Sequence, residues 1–464
     1  GQKPHLLVKT INNLGAETGV AYAPSTKFYL QDKRDGKPWI TRLPFPVHVV
    51  ERVETYDHIS RNRFVTRYAY HHGYFDGEER EFRGFGMVEQ WDTEQIGALT
   101  ASGAFPQGDN IAAASHVPPV HTKTWFHTGV YLGRERVSRH FEGEYFREPG
   151  VTVVTARPLL LDDTIIPSNL TLEEEREACR ALKGSMLRQE VYADDADHPG
   201  ATQEQIQRAR RPYTVTEQNF TIRTLQALDN NRHAVFFTHA RESLSYHYER
   251  NPTDPRIQHA LTLEVDNYGN VLKQAAIGYG RRVSPLSTQW DRVRQTTPLL
   301  TYSENRVTNP IDSPDTHRNP LPCEAVTFEL TGYTTTGPAG RYQASDFVEP
   351  DPATPGRLRH RFTAPEVAYE VTATGNQRRR PIEQLRTLYR RDDLGSLLPL
   401  GELHPLALPG ESYKLAITPG LLDQVYVRGS QRLLPANPAS VLAGAGADRG
   451  GYVDLDNNGH WWIP

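Results

Sequence analysis

Along residues 64–91 (FVTRYAYHHGYFDGEEREFRGFGMVEQW) the side chains alternate. Phe64, Thr66, Tyr68 and Tyr70 fall on one face of an extended chain, and Val65, Arg67 and Ala69 on the other. Aromatic and β-branched residues at period two suit a pleated surface better than a helix. Gly73 and Asp76-Gly77 then supply turn chemistry, and a second extended run carries Phe82, Phe85, Met87, Val88 and Trp91. Glycine inside a strand costs stability, so Gly84 and Gly86 predict a bulge or a close approach of other backbone. The pattern predicts an aromatic hairpin that needs a neighbouring layer to cover it.

The same grammar recurs on both sides. Short strands are expected at His5–Thr10, Gly19–Ala23 and Lys27–Leu30, with turns at Asn12-Asn13-Leu14-Gly15 and Asp35-Gly36, before a longer run at Val47–Thr55. Residues 95–119 are small and polar and read as a long connection. Further strands are expected at Tyr213–Gln226, Ala234–Thr238, Thr297–Val307 and Val326–Gly332. Leu261, Leu263 and Val265 alternate into Asp266-Asn267-Tyr268-Gly269-Asn270, and Val271 starts the return. Asp266 there closes a side-chain turn on its own backbone while Gly269 takes the left-handed position.

The best helix lies within Leu159–Leu187, at about 171–183. Thr171 or Asn169 caps it, Glu173, Glu174 and Glu175 load its first turn, Ala178, Cys179, Ala181 and Leu182 form an apolar stripe, and Gly184 ends it. Tyr192–Gln207 reads as a surface loop or a brief helix, and Ile382–Tyr389 as a short helix with Leu385 and Leu388 inward. Residues 309–322 and 348–365 are Pro-containing connections, and Pro419-Gly420 marks a turn. The fold class is all-β, mainly antiparallel hairpins, with one or two short helices.

Composition sharpens this picture. At 464 residues the chain is too long for one ordinary core. Only 37% is hydrophobic and the mean hydropathy is −0.61, yet 22 Tyr and 16 Phe argue against disorder. The many Gly (35) and Pro (34) fit short strands joined by turns. Arg far outnumbers Lys, which favours forked Arg–carboxylate pairs across strands. A net charge of −4 speaks against a nucleic-acid binder. No apolar run approaches the about 20 residues that span a bilayer. Cys179 and Cys323 form no CxxC pair, so neither a zinc ribbon nor a disulfide framework is expected. Both ends of the sequence look cut from something longer.

The pattern Tyr68-x-Tyr70-x-x-Gly73, Asp76-Gly77, Arg80, Phe82-x-Gly84-Phe85-Gly86 resembles the middle region of the B components of bacterial insecticidal toxin complexes, of the TcdB/TcaC type. That family is related to SpvB and to the Rhs/YD-repeat shell proteins. The stretches NNLGAETGVAYAPST, WITRLPFPVHVVERVE, SYHYERNPTDPR, VDNYGNV…GYGRR and LALPGESYKLAITPGLLDQVY resemble it too, and the Asp266, Gly269, Asn270 turn is how a YD-type repeat folds a hairpin. The resemblance runs from about residue 3 to the last residue, with gaps at 195–211, 309–320 and 430–448. It implies three segments: 1–119 of middle/N-terminal type, 120–285 of middle/C-terminal type, and 286–464 as a continuation of an Rhs-like β shell, truncated at its C-terminus. It implies a structural virulence component, made in the cytoplasm and then secreted, that helps a C component enclose and deliver that partner's cytotoxic segment. Docking on the A component falls to regions outside this stretch, with no nucleic acid and no direct membrane insertion.

Candidate chemistry is sparse. HExxH, GxSxG, GxxxxGK[ST] and GxGxxG are all absent. His116, His121 and His127 are spaced by 5 and 6 on apparent loops, a poor fit to metal ligation, and read as solvated or stacking histidines. Glu173–Glu175 splay over a helical turn and read as capping, and the cluster Arg208–Arg211 lacks interleaved aromatics. Glu142 and Glu144, after Ser138-Arg139, are the nearest approach to a transferase-like Glu-x-Glu pair. Asp454, Asp456 and Asn458 before Gly459 match the first half of a calcium loop, against which a plain hairpin tip is the simpler reading. The expectation is no catalytic residue, no cofactor and no metal. The alternative is an all-β enzyme domain, ADP-ribosyltransferase-linked or carbohydrate-active.

Overall fold

The computed structural model describes residues 5–93, 103–110, 119–196, 200–361, 366–372 and 377–464. His116 and most of the connection at 95–119 lie outside the described residues. The chain forms two compact units, one of residues 1–257 and 281–285, the other of residues 258–280 and 286–464.

In the first unit, β1 (Lys9–Ile11), β2 (Ala16–Pro24), β3 (His48–Asp57), β4 (Arg63–Asp76), β5 (Glu81–Thr93), β6 (Val120–Phe126), β7 (Met186–Ala193), β8 (Thr214–Gln226) and β9 (Val235–His247) lie side by side in chain order. Each pairs antiparallel with the next. Antiparallel neighbours can be joined by a tight turn, as between β4 and β5, while longer connections carry the helices that cover the sheet, as between β2 and β3 and between β6 and β7. Asn12 Oδ1 accepts the N–H groups of Leu14 and Ala16. One face of the sheet is closed by a core of Met87, Trp125, Val137, Phe141, Tyr145, Leu187 and Ile222, sealed by Ala178, Cys179 and Leu182.

Ala178 and Cys179 belong to the helix Leu172–Arg180, which forms as expected, and Leu182 lies in the turn that follows it. Thr171 Oγ1 caps Glu174 N and Glu174 returns the bond to Thr171 N, a reciprocal box that satisfies two end donors. Asn169 sits outside it at φ +64°, and Gly184 at φ +85°.

The second unit holds β10 (Arg256–Val265), β11 (Val271–Tyr279) and β12 (Leu299–Val307), the side hairpin β13 (Ile311–Ser313) and β14 (Thr316–Arg318), and β15 (Pro322–Thr331). It continues with the side hairpin β16 (Val348–Pro350) and β17 (Leu358–His360), then β18 (Arg378–Arg390) and β19 (Leu408–Ile417). A last side hairpin, β20 (Val427–Arg428) and β21 (Gln431–Arg432), precedes β22 (Trp461–Ile463). The sheet order is β10-β11-β12-β15-β18-β19-β22, with antiparallel pairing from β11 onward. The three side hairpins occupy the connections and leave the meander unbroken. The core combines Leu261, Leu263, Ala275, Ile277, Leu300, Tyr302, Phe328 and Leu330 with Tyr342 and Phe347 from the connecting segments.

Strand outweighs helix, 41% against 14%, so antiparallel β dominates. Three local expectations change. Lys27–Leu30 is not a strand: Ser25–Arg34 is a helix whose buried Ser25, Phe28 and Asp32 recur at helical spacing, with Lys33 and Arg34 at its negative end. Ile382–Tyr389 is not a helix but the middle of β18, because β15 and β19 pair with it on both sides; ladder pairing overrides a weak helical propensity. A short helix forms at Gln289–Thr296, where none was expected, whereas the one at Gln203–Ala209 overlaps the brief helix that was one reading of Tyr192–Gln207.

Candidate functional site

The hairpin β4–β5 is the part of the first unit on which most polar chemistry converges. Its register places Tyr68 opposite Gln90, Tyr70 opposite Val88 and Gly73 opposite Phe85, and it slips at Tyr74/Phe75. Gly84, opposite Tyr74, takes φ +94°, so the anticipated bulge is there. Gly73 and Gly86 are crowded instead. A Cβ on Gly73 would fall 2.8 Å from both Leu43 Cδ2 and Trp39 Cζ3, and one on Gly86 2.4 Å from Phe141 Cζ. Gly73 therefore lies within β4, not in the turn. The reversal falls at residues 77–80, where Arg80, not Gly77, takes the positive φ of +52°. Asp76 shapes it by accepting the N–H groups of Glu78 (3.1 Å) and Glu79 (3.0 Å). Its other oxygen accepts from Tyr74 Oη and pairs with Arg83 at 3.1 Å. Burial acts to raise the Asp76 pKa, but these hydrogen bonds and Arg83 win and hold it below the usual value.

The aromatics of the pattern pack on one another. Tyr70 donates its hydroxyl to Val50 O at 2.8 Å and meets Phe85 at 5.0 Å between centroids, and Phe82 meets Phe85 edge-on at 5.6 Å. Beyond the tip, the helix Leu172–Arg180 and its following turn offer Arg176, Arg180 and Lys183 to Glu78, Glu79 and Glu81, an ionic ladder that ties tip to helix.

Across the sheet, register builds what sequence spacing concealed. Arg67 faces Trp91, Trp91 faces His121, and His121 faces Tyr192, one residue from each of four consecutive strands. Trp91 and His121 stack at 4.5 Å, so His121 is a stacking histidine as expected. Its Nε2 also meets Glu89 Oε2 at 2.5 Å. Glu89 further faces His71, whose other nitrogen reaches Asp32. Burial would raise the Glu89 pKa, yet His121 and His71 drive it well down. Asp32, His71 and Glu89 formed no part of the sequence reading. The signal was there in the polar pair His71-His72 within an otherwise aromatic strand.

The Glu-x-Glu pair is occupied structurally. Glu144 accepts from His72 Nε2 (2.7 Å) and Trp125 Nε1 (2.9 Å), and Glu142 lies 3.8 Å from Arg157. Ser138 shares a 2.5 Å hydrogen bond with Thr164. His127 is fully buried; its Nδ1 accepts from Gly129 N and its Nε2–H donates to Val137 O at 2.6 Å. Burial holds its pKa down to about 4 despite that carbonyl, and burial together with the nearby His127 holds His140 at about 3. Cys179 and Cys323 are free and buried, and burial lifts the Cys179 thiol to about 12. Among the described residues, no group of three or more His, Cys, Asp and Glu is placed to hold a metal ion. No helix among them is long and apolar enough to cross a membrane.

In the second unit, Asp266 Oδ1 accepts from Tyr268 N (2.8 Å) and Asn270 N (2.9 Å), its Oδ2 accepts from Asn270 Nδ2, and Gly269 sits at φ +91°. All three residues thus serve the β10–β11 turn. Asp454 likewise accepts from Asn458 N and Gly459 N, while Asp456 pairs with Arg386 at 2.7 Å, so both carboxylates serve a hairpin tip.

These features define a hairpin-built β-sheet scaffold whose polar clusters join strands to one another and to covering helices. Two family descriptions match the chain: the insecticide toxin TcdB middle/N-terminal region over residues 1–129, and the TcdB middle/C-terminal region over residues 177–318. Solved structures agree. A crystal structure of TcdB2–TccC3–TEV shares 26% identity at a TM-score of 0.67 and covers 99% of this chain. The Tc holotoxin pore of Photorhabdus luminescens shares 25% at 0.66 over 98%, and TcdB2–TccC3–Cdc42 25% at 0.65 over 98%. This chain covers 20% of the length of each of those chains. No curated protein matches significantly. The chain belongs to the TcdB-like B components of insecticidal toxin complexes and corresponds to their middle region.

Proposed function

We propose that this chain is a wall segment of a hollow Rhs-type β shell, in which a secreted B component and its C-component partner enclose the partner's cytotoxic segment. The observation that carries this is the likeness over 99% of the chain to TcdB2 as crystallised with TccC3. The segments 1–119, 120–285 and 286–464 are read as successive portions of that wall. In this reading no residue is catalytic. Tyr68, Tyr70, Gly73, Asp76, Gly77, Arg80, Phe82, Gly84, Phe85, Gly86, Asp266, Gly269 and Asn270 matter because they set the hairpins.

The test uses the full B component with its C component, measuring co-purification and cell killing. Gly269→Val forces a β-branched residue to φ +91°, costs on the order of 1–3 kcal/mol and is expected to impair assembly. Gln keeps shape while removing the charge that an acid or base needs. Glu144→Gln leaves one of two N–H donors without an acceptor, at about 1 kcal/mol, which a sheet of this size withstands. The Glu142→Gln/Glu144→Gln pair is therefore expected to assemble and kill. A pair that assembles normally yet kills nothing overturns the reading in favour of an enzyme.

A further inference from the structure

The imidazole of His71 stands between two carboxylates from different layers of the first unit. Its Nδ1 is 2.7 Å from Asp32 Oδ2 on the helix Ser25–Arg34, and its Nε2 is 3.4 Å from Glu89 Oε1 on β5. An ionised carboxylate only accepts, so both contacts are attractive only when both ring nitrogens carry hydrogen. The remaining charged neighbours are already engaged. The second oxygen of Glu89 takes His121 Nε2 at 2.5 Å and lies 4.0 Å from Lys123 Nζ, both on β6. The adjacent His72 accepts Ile40 N at Nδ1, so its Nε2–H goes to Glu144. The side chains of His71, Asp32 and Glu89 are only 14%, 10% and 15% exposed, so water does not readily replace a lost partner. Asp32 also accepts Trp39 Nε1 at 2.6 Å, which ties the segment after the helix to the same point.

We propose that His71 is a proton-dependent latch: while its ring is cationic it bridges helix and sheet, and loss of its proton in alkaline solution releases the helix Ser25–Arg34 and the Trp39 segment from the hairpin face. A neutral ring has one N–H, so whichever carboxylate it keeps, the other faces a lone pair. Burial by itself draws the ring's pKa down, but the hydrogen bond to Asp32 and the charges of Asp32 and Glu89 outweigh it and hold the ring at about 9, above its ordinary 6.5. The folded state therefore binds this proton more tightly than the unfolded one. The stability it adds is complete below the ordinary value and is lost as pH rises through the folded one. The opening is local, because the β4–β5 ladder does not pass through this bridge.

Hydrogen exchange read by mass spectrometry on the folded chain, from about pH 7 to about pH 10 and corrected for the intrinsic rate, tests this. Protection of the 25–34 peptide is expected to fall by about tenfold or more while β4 and β5 hold theirs. His71→Gln is expected to show weak protection there at both ends of the range. Glu89→Gln removes one of the two charges that hold the proton and is expected to move the fall to lower pH. Three results overturn the proposal: helix protection that stays constant up to about pH 10, protection that falls in step with β4 and β5, or a Glu89→Gln midpoint that does not move. If His71→Gln fails to fold, the unsubstituted chain and Glu89→Gln still decide.

Discussion

Replacing Gly86 by Ala is the sharpest test of how the hairpin meets its covering layer. The backbone permits it, because Gly86 is not among the residues at positive φ, and Ala in a strand gains on Gly through unfolded-state entropy alone. The obstacle is space. The new Cβ would stand 2.4 Å from Phe141 Cζ, 3.1 Å from Phe141 Cε1 and 3.0 Å from His72 Cβ, where carbon pairs settle at about 3.5–4.0 Å. Phe141 is fully buried, with the His140 ring 4.2 Å and the His72 ring 4.9 Å from its own, so it has no room to step aside. Overpacking of this kind costs about 1–3 kcal/mol, more than the entropic gain. Thermal unfolding followed by aromatic circular dichroism should show the midpoint of the first unit lowered by about 2–4 °C per kcal/mol. Phe141→Leu removes the offending ring atoms at its own cost, on the order of 1 kcal/mol or more. The double variant should then be less destabilised than the sum of the two by about 1 kcal/mol or more. An unchanged midpoint for Gly86→Ala, or strict additivity in the double variant, would refute the close approach.

Two further outcomes follow from burial. Arg188, buried with Glu190 at 2.6 Å and Glu217 at 3.1 Å, leaves two carboxylates uncompensated when cut to Ala and should cost about 3–5 kcal/mol, whereas Lys183→Ala in the exposed ladder should cost about 0.5 kcal/mol or less; melting curves that shift equally would reject the distinction. His127 and His140 fold as neutral rings at about 4 and about 3 against an ordinary 6.5, so their contribution is complete above the ordinary value and is lost as pH falls towards the folded ones. A melting midpoint that falls on acidification below about pH 6, with a shallower slope in His127→Gln, is expected; an identical slope in that variant would remove His127 from the account.

Features whose partners lie within a few residues could be read along the chain. Asp266 closes on Tyr268 and Asn270, Thr171 and Glu174 exchange their bonds, and alternation in Tyr213–Gln226 announces β8, because each depends on backbone geometry over one turn or one pleat. Even there a local signal misled where neighbours outweighed it, as in β18, whose two flanking strands supply the hydrogen bonds that a helix would have made for itself. What no local pattern contains is register and layering. Arg67, Trp91, His121 and Tyr192 form one row only because four strands pair in one particular phase, and a slip of one residue would turn every member to the other face. Asp32 meets His71 across 39 positions, and Gly86 must be glycine only because Phe141 arrives from another segment. Such contacts are fixed by how layers close over the sheet, where the loss of water and the packing of whole side chains outweigh any preference of the residues one by one.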